Sequence, residues 1–240
     1  MPRFVFAATE VGKGKITGDE AHHVLRVHRH KVGDTIAVAD GSALYVARIS
    51  AVEGGEVWLD LGEAMPSKES PLRVTLYQGL LKADLFDYTI VKAVELGVHS
   101  IVPLLCERTV VRLTQAKAHE KVSRWQRLAA EAAKQCGRAV VPIVHPPLPL
   151  PEAWHNETAS LKLIAYEGGG HPLKEALRGP GAHSSVACVI GTEGGFSTEE
   201  VAMAKHYGFL PVTLGPRILR AETAPLALLS VIMYELGDLG

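Results

Sequence analysis

The sequence is poor in the features that mark most chemistries. Cysteine is scarce: Cys106, Cys136 and Cys188 are odd in number and far apart. That argues against a disulfide framework or a zinc site and for a reducing compartment. All three read as small buried hydrophobes. The longest apolar run, Ala224–Tyr234, is interrupted by Pro225 and Ser230 and is too short to span a bilayer. Met1–Phe6 holds no long apolar core with a cleavage site, so no secretory signal is expected. No Gly-Lys-Ser/Thr ending completes a P-loop, and no Gly-x-Gly-x-x-Gly follows the first strand of the α/β region. A Gly-x-Ser-x-Gly elbow is absent as well. P-loop nucleotide hydrolysis, Rossmann dinucleotide binding and serine-hydrolase chemistry are set aside on these grounds.

What is present is a soluble globular composition, 47% hydrophobic and 21% charged, with room in 240 residues for one large domain or two modest ones. The net charge of −1 hides an asymmetry. Residues 71–146 carry 11 Lys and Arg against 6 Asp and Glu, while both flanks are acidic. A locally basic region can face a polyanion on a protein that is neutral overall.

Residues 1–70 read as a small β-rich domain with strands at Phe4–Phe6, Thr35–Val38, Ala43–Ile49 and Val57–Leu61. Asp40–Gly41 and Glu53–Gly54–Gly55 punctuate them as turns, a rhythm that suggests a small barrel. One segment departs from it. His22 to Lys31 holds four histidines and three basic residues with no acid, on a short helix that Asp19 caps. A polyanion-facing surface accounts for this better than metal binding, since His22 and His23 are adjacent and point apart on a helix; an ordinary solvated face is the rival. The polar stretch 63–71, bracketed by prolines, is the domain boundary. Beyond it, strands at 73–78, 101–105, 141–144, 161–166, 186–190 and 211–214 alternate with helices at 86–96, 115–136, 172–177, 198–206 and 225–236. That is the α/β pattern of a mostly parallel sheet covered on both faces.

Two loops in this half carry the chemistry. Gly191–Thr192–Glu193–Gly194–Gly195 follows a buried strand and opens a helix. Leu214–Gly215–Pro216–Arg217–Ile218–Leu219–Arg220–Ala221–Glu222 does the same before a final helix that is apolar on nearly every side. That helix has to be covered all round, with Thr223 as its N-cap and Pro225 in its first turn. Two such loops at strand C-terminal ends read as the rim of one ligand site. Glu193 repels phosphate and suits a ribose hydroxyl or a cationic ligand instead.

Taken together, Ile190–Ser197 and Leu214–Ala224 resemble the signature of the SPOUT RNA methyltransferases. More narrowly they resemble the small-subunit ribosomal RNA methyltransferase E family. His23–Val27, Glu69–Pro71, Lys92–Val98, Glu107–Arg108 and Glu131–Arg138 extend the resemblance over the whole chain. Thr192 stands where the family usually has proline.

The resemblance implies an α/β protein in two parts. A PUA-like RNA-binding β-barrel (1–70) would precede a SPOUT methyltransferase domain (71–240) with a C-terminal trefoil knot. It implies S-adenosyl-L-methionine (SAM) as cofactor, held by Gly191, Glu193, Gly194, Gly195, Leu214, Gly215, Ile218, Leu219, Thr223 and Ala224. The implied reaction is methylation of N3 of a 16S rRNA uridine, in the assembled 30S ribosomal subunit. Arg220 would stabilise developing negative charge and Glu222 would be the base, although the two residues could instead pair with each other or cap the final helix. RNA would be met by Arg3, His22, His23, Arg26, Arg29, Arg108, Arg112 and Arg138. A cytoplasmic homodimer that needs no metal and no membrane completes the expectation. A non-catalytic ribosome assembly factor is the rival of another class, and a SPOUT enzyme acting on tRNA or a ribose 2′-hydroxyl is the catalytic rival.

Overall fold

Alternation of apolar and polar residues at short spacing builds the first part of the chain, and long uninterrupted apolar strands build the second. The computed structural model describes residues 3–66, 69–111, 114–179 and 181–240. The chain divides into two compact units. One comprises Met1–Glu69 with Ala133–Val141, and the other Ser70–Ala132 with Pro142–Gly240. The short segment 133–141 thus packs with the first unit although its neighbours in the chain belong to the second.

The first unit holds β1 (Arg3–Val5), β2 (Ala7–Glu10), β3 (Lys13–Ile16), β4 (Thr35–Ala39), β5 (Leu44–Glu53) and β6 (Glu56–Met65). They form one sheet in the order β1-β4-β5-β6-β3-β2, antiparallel except for the β1–β4 pair. The edge strands β1 and β2 are separated in sequence by Phe6 alone, so the sheet curls back on itself. Phe4, Phe6, Ile16, Ile36, Val38, Ile49, Val57 and Leu59 fill its interior. The hairpin β2–β3 went unread in the sequence because Ala7–Glu10 is exposed along its whole length and has no inward face to signal a strand. Between β3 and β4 lies α1 (Gly18–His22), which continues as a π-helical turn, His23–Val27.

In the second unit the sheet contains β7 (Arg73–Gly79), β8 (Ser100–Leu105), β9 (Ile143–Val144), β10 (Leu148–Pro149), β11 (Leu161–Ala165), β12 (His171–Pro172), β13 (Ser185–Ile190) and β14 (Leu210–Thr213). Every pairing is parallel, in the order β10-β8-β7-β13-β11-β14-β12, with β9 also on β8. The last three long strands of the chain therefore sit side by side, β11 between β13 and β14. Helices α2 (Leu85–Glu95), α3 (Gln115–Cys136), α4 (Leu150–His155), α5 (Leu173–Leu177), α6 (Thr198–His206) and α7 (Ala224–Glu235) connect and cover them. None of the described helices is long and apolar enough to cross a membrane.

Central strand β13 is buried on both faces from Val186 to Ile190, which is why it reads as a continuous apolar run. Gly97 ends α2 at φ 87, a left-handed conformation that favours glycine. Ser197 opens α6 with a reciprocal capping box: its hydroxyl accepts the Glu200 N–H while the Glu200 carboxylate accepts the Ser197 N–H. Helix α7 is covered only in part by its own chain. Leu228, Leu229, Ile232 and Met233 are buried, yet Val231 and Tyr234 are 38% and 63% exposed. One apolar face is left open within the single chain.

One expectation is corrected here. Cys136 is exposed, whereas Cys106 and Cys188 are buried as foreseen; it continues the 3-4 spacing of Trp125, Ala129 and Ala132 but is the last residue of α3, where the helix end is open to solvent. The basic face of α3 is partly neutralised from within. Arg124 pairs with Asp87, and Lys134 lies 2.7 Å from Glu20.

Candidate functional site

In a parallel sheet the loops at strand C-terminal ends share one side, and a ligand crevice opens where the strand order reverses. Here the loops after β11, β13 and β14 bound a cavity of about 610 Å³. Gly191, Glu193, Gly194 and Gly195 line it from one side, and Leu214, Gly215, Ile218, Leu219 and Ala224 from the other. Arg220 and Glu222 line it as well. The two sequence motifs, some twenty residues apart, thus meet across β11 at a single site.

The glycine-rich loop is held from beneath and from both ends. Gln78, fully buried at the end of β7, donates its side-chain amide to the carbonyl oxygens of Gly191 at 3.1 Å and Gly79 at 3.2 Å. A Cβ on Gly79 would lie 2.7 Å from both the Gly191 carbonyl carbon and the Thr192 amide nitrogen, so that position has to be glycine. Glu193 accepts the Lys82 N–H at 3.0 Å, and the Arg108 guanidinium donates to the Gly194 carbonyl at 2.7 Å. Thr192 is 4% exposed and accepts the Gly194 N–H through its hydroxyl at 3.3 Å, a contact within the loop. Glu200 ties the loop's exit to its neighbourhood: one carboxylate oxygen accepts the Glu107 N–H at 2.7 Å, the other the Ser197 N–H at 2.9 Å.

On the opposite wall, Gly215 is left-handed at φ 110, allowing the turn out of β14. Ile218 is 85% exposed at the cavity's edge, a large apolar surface open to a flat ligand. Arg220 and Glu222 form no ion pair with each other among the described residues. The Arg220 carbonyl instead accepts the N–H groups of Thr223 and Ala224 and closes the turn into α7. Thr223 occupies the N-cap position, but at φ −89 and ψ −39 it is already helical, and its side chain makes no capping hydrogen bond. In contrast to the sequence reading, it does not line the cavity, although its neighbours Glu222 and Ala224 do.

The sequence reading missed the third loop. Ala165 ends β11, Tyr166 and Glu167 follow it, and all three line the cavity together with Leu85 and Thr213. No motif marks them; they belong to the site because β11 lies between β13 and β14.

The described residues expected to meet RNA belong to both units. His22, His23, Arg26 and Arg29 are all exposed on the first unit. Arg29 holds a left-handed φ of 59, which a non-glycine residue adopts at some cost, and it stands between His28 and His30, whose rings stack 6.1 Å apart. Arg108 belongs to the cavity loop. Arg138 differs: its side chain is 11% exposed and donates to Glu69 at 2.8 and 3.0 Å, while the other Glu69 oxygen accepts the Ala139 and Val140 N–H groups. Its guanidinium serves the first unit's own packing. Arg3 lies against Gly137, and its Nη1 is buried without a hydrogen-bond partner among the described residues. Arg112 lies outside the described residues. Among those residues no three His, Cys, Asp or Glu side chains converge on a point that would hold a metal ion.

Residues 68–233 match the RNA methyltransferase domain family. The ribosomal RNA small subunit methyltransferase E of Bacillus subtilis is 34% identical over 228 residues, covering 92% of this chain and 89% of that one. Its counterpart in a Synechocystis strain is 34% identical over 236 residues, covering 96% and 76%. The crystal structure of a ribosomal RNA small subunit methyltransferase E from Neisseria gonorrhoeae, bound to S-adenosyl methionine, superposes with a TM-score of 0.88 at 33% identity and covers all of both chains.

Proposed function

Because the chain belongs to the RNA methyltransferase domain family and, within it, to the ribosomal RNA small subunit methyltransferase E family, we propose that it methylates N3 of a 16S rRNA uridine with SAM as methyl donor. The observation that carries this reading is the single cavity bounded by the loops after β11, β13 and β14, with Arg220 and Glu222 on its wall.

The cavity suits that cofactor. Glycine backbone permits close hydrogen bonding to an adenine edge, and Leu214, Ile218 and Leu219 offer apolar cover for its faces. When bound, SAM supplies an electrophilic methyl group. The chain's own residues must then make N3 nucleophilic. In neutral uracil that nitrogen carries a proton and its lone pair is delocalised into two carbonyls, so a base has to remove the proton while a cation stabilises the charge spreading onto O2 and O4. Arg220 takes the second role in this proposal and Glu222 the first. Because N3 lies on the Watson–Crick edge, the target base must be unpaired or flipped out of its stack.

The remaining assignments rest on the same reading. His22, His23, Arg26 and Arg29 supply RNA contacts from a PUA-like first unit, with Arg108 at the cavity rim. A knotted C-terminal segment carries the site, and the open α7 face at Val231 and Tyr234 fits a second copy of the chain in a homodimer. The assembled 30S subunit in the cytoplasm is the proposed substrate.

Titration calorimetry with SAM, followed by methyl transfer to 30S particles and to free 16S rRNA, tests the proposal. Saturable binding near one site per chain and a methylated uridine that stops reverse transcription support it. No binding at millimolar SAM would point to a non-catalytic assembly factor.

A further inference from the structure

The cavity contains a carboxylate to which the two motifs assign no role. Glu167 lies just past the end of β11, lines the cavity, and makes no hydrogen bond or ion pair among the described residues. Its carboxylate stands over Gly195, where a Cβ would collide with it. Gly195 itself is left-handed at φ 68. The glycine therefore does two things: it permits the loop's turn, and it leaves the space that the Glu167 carboxylate occupies above the loop. The other carboxylates of the cavity are placed differently. Glu193 already accepts the Lys82 N–H, and Glu222 lies at the turn into α7, two residues beyond Arg220.

We propose that Glu167 binds the ammonium group of the cofactor's amino-acid portion, an assignment that rests on the SAM reading above. The chemistry selects this group from the two positive centres of SAM. Glu167 is exposed, so its carboxylate can exchange water for an ammonium, whose three N–H donors form charge-assisted hydrogen bonds with it. The sulfonium has no N–H and offers only Coulomb attraction. Glu167 is thereby a specificity-determining residue for the amino-acid tail, contributed by the one loop of the three that carries no recognisable motif.

Glu167→Gln preserves shape and removes the charge. Calorimetry of wild type and variant with three probes tests the assignment: SAM, S-adenosylhomocysteine, which keeps the ammonium but lacks the sulfonium charge, and methylthioadenosine, which lacks the amino-acid tail. The expected result is a loss of about tenfold or more for both SAM and S-adenosylhomocysteine, with methylthioadenosine unchanged and the thermal midpoint of the variant preserved. Glu167→Asp should recover part of the loss. Unchanged SAM affinity in Glu167→Gln overturns the proposal. So does a loss for SAM alone, which would assign the carboxylate to the sulfonium, and so does a parallel loss for methylthioadenosine, which would make the residue structural. Wild-type protein that binds none of the three would overturn the cofactor reading itself, a result distinct from any of the variant's.

Discussion

The side-chain amide of Gln78 donates to the Gly191 carbonyl oxygen at 3.1 Å, fastening the start of the glycine-rich loop to the adjoining strand. The residues are 113 positions apart in sequence yet adjacent in space, because Gln78 pairs with Ile190, the last residue of β13 and the one before Gly191. Gln78 is fully buried, so nothing from solvent can replace its donor. Gln78→Leu should destabilise the fold by about 1–3 kcal/mol, the cost of leaving a buried acceptor unpaired. Gln78→Glu should do more damage, because it sets a carboxylate against two carbonyl oxygens. Urea denaturation orders the variants, and SAM titration should show affinity falling in the same order. Equal stability in all three proteins would mean that the hydrogen bond does not hold the loop.

Arg220→Ala should abolish methyl transfer while leaving SAM affinity within a few-fold, since the guanidinium is exposed at the cavity wall and is not proposed to hold the cofactor. Single-turnover assays with 30S particles read the first quantity and calorimetry the second. A large loss of SAM binding would move Arg220 from chemistry to pocket structure.

Ser197 and Glu200 form the capping box of α6, and Glu200 also accepts the Glu107 N–H. Ser197→Ala should cost about 0.5–2 kcal/mol, as loss of a helix N-cap does. Glu200→Ala should cost more, because it orphans the Glu107 and Ser197 N–H groups together. Thermal unfolding of the two variants and their double mutant gives the comparison, and the double mutant should be less destabilised than the sum of the singles because the residues interact.

Burial pushes the Cys106 and Cys188 thiols up to about 12, with the nearby Glu200 charge adding to the effect on Cys106. A thiol harder to ionise when folded than at its ordinary 9.0 stabilises the fold fully below that pH. The contribution is lost as pH rises from 9 toward 12, because the unfolded chain releases its protons first. A disulfide reagent at pH 8 should therefore label the exposed Cys136 and spare the other two until denaturant is added. Mass spectrometry of the labelled peptides reads the outcome.

Replacing both Arg26 and Arg29 with alanine should weaken RNA binding most at low salt and flatten the dependence of log K on log salt by about 1–2 units. Each arginine lost from a phosphate contact releases fewer counterions. An unchanged salt slope would remove both residues from the RNA footprint.

Much of this site could be read locally. The glycines at 191, 194 and 195 and the Leu214–Glu222 stretch announced a backbone-lined pocket, because close approach and left-handed turns leave a compositional trace at the residues that need them. The helix at 115–136 could be read from its 3-4 periodicity, and the central strand at 186–190 from a short continuous apolar run bounded by glycine. Arg138 could not: its basic character is plain in the sequence, but its partner Glu69 is 69 residues away. Nor could Thr223, whose residue type promised a cap that the turn closed by the Arg220 carbonyl made unnecessary.

By itself, then, the sequence determined the long strands and helices of the second unit and where the backbone must turn tightly, since each depends on residues near in the chain, whereas short or fully exposed elements such as β2 left no trace. Tertiary structure alone decided that β13 lies between β7 and β11 and that β11 separates the two motif loops. Strand order is set by which long-range pairings bury the apolar faces together, and no local pattern records it. Glu167 enters the cavity for that reason only, carried there by the strand that precedes it.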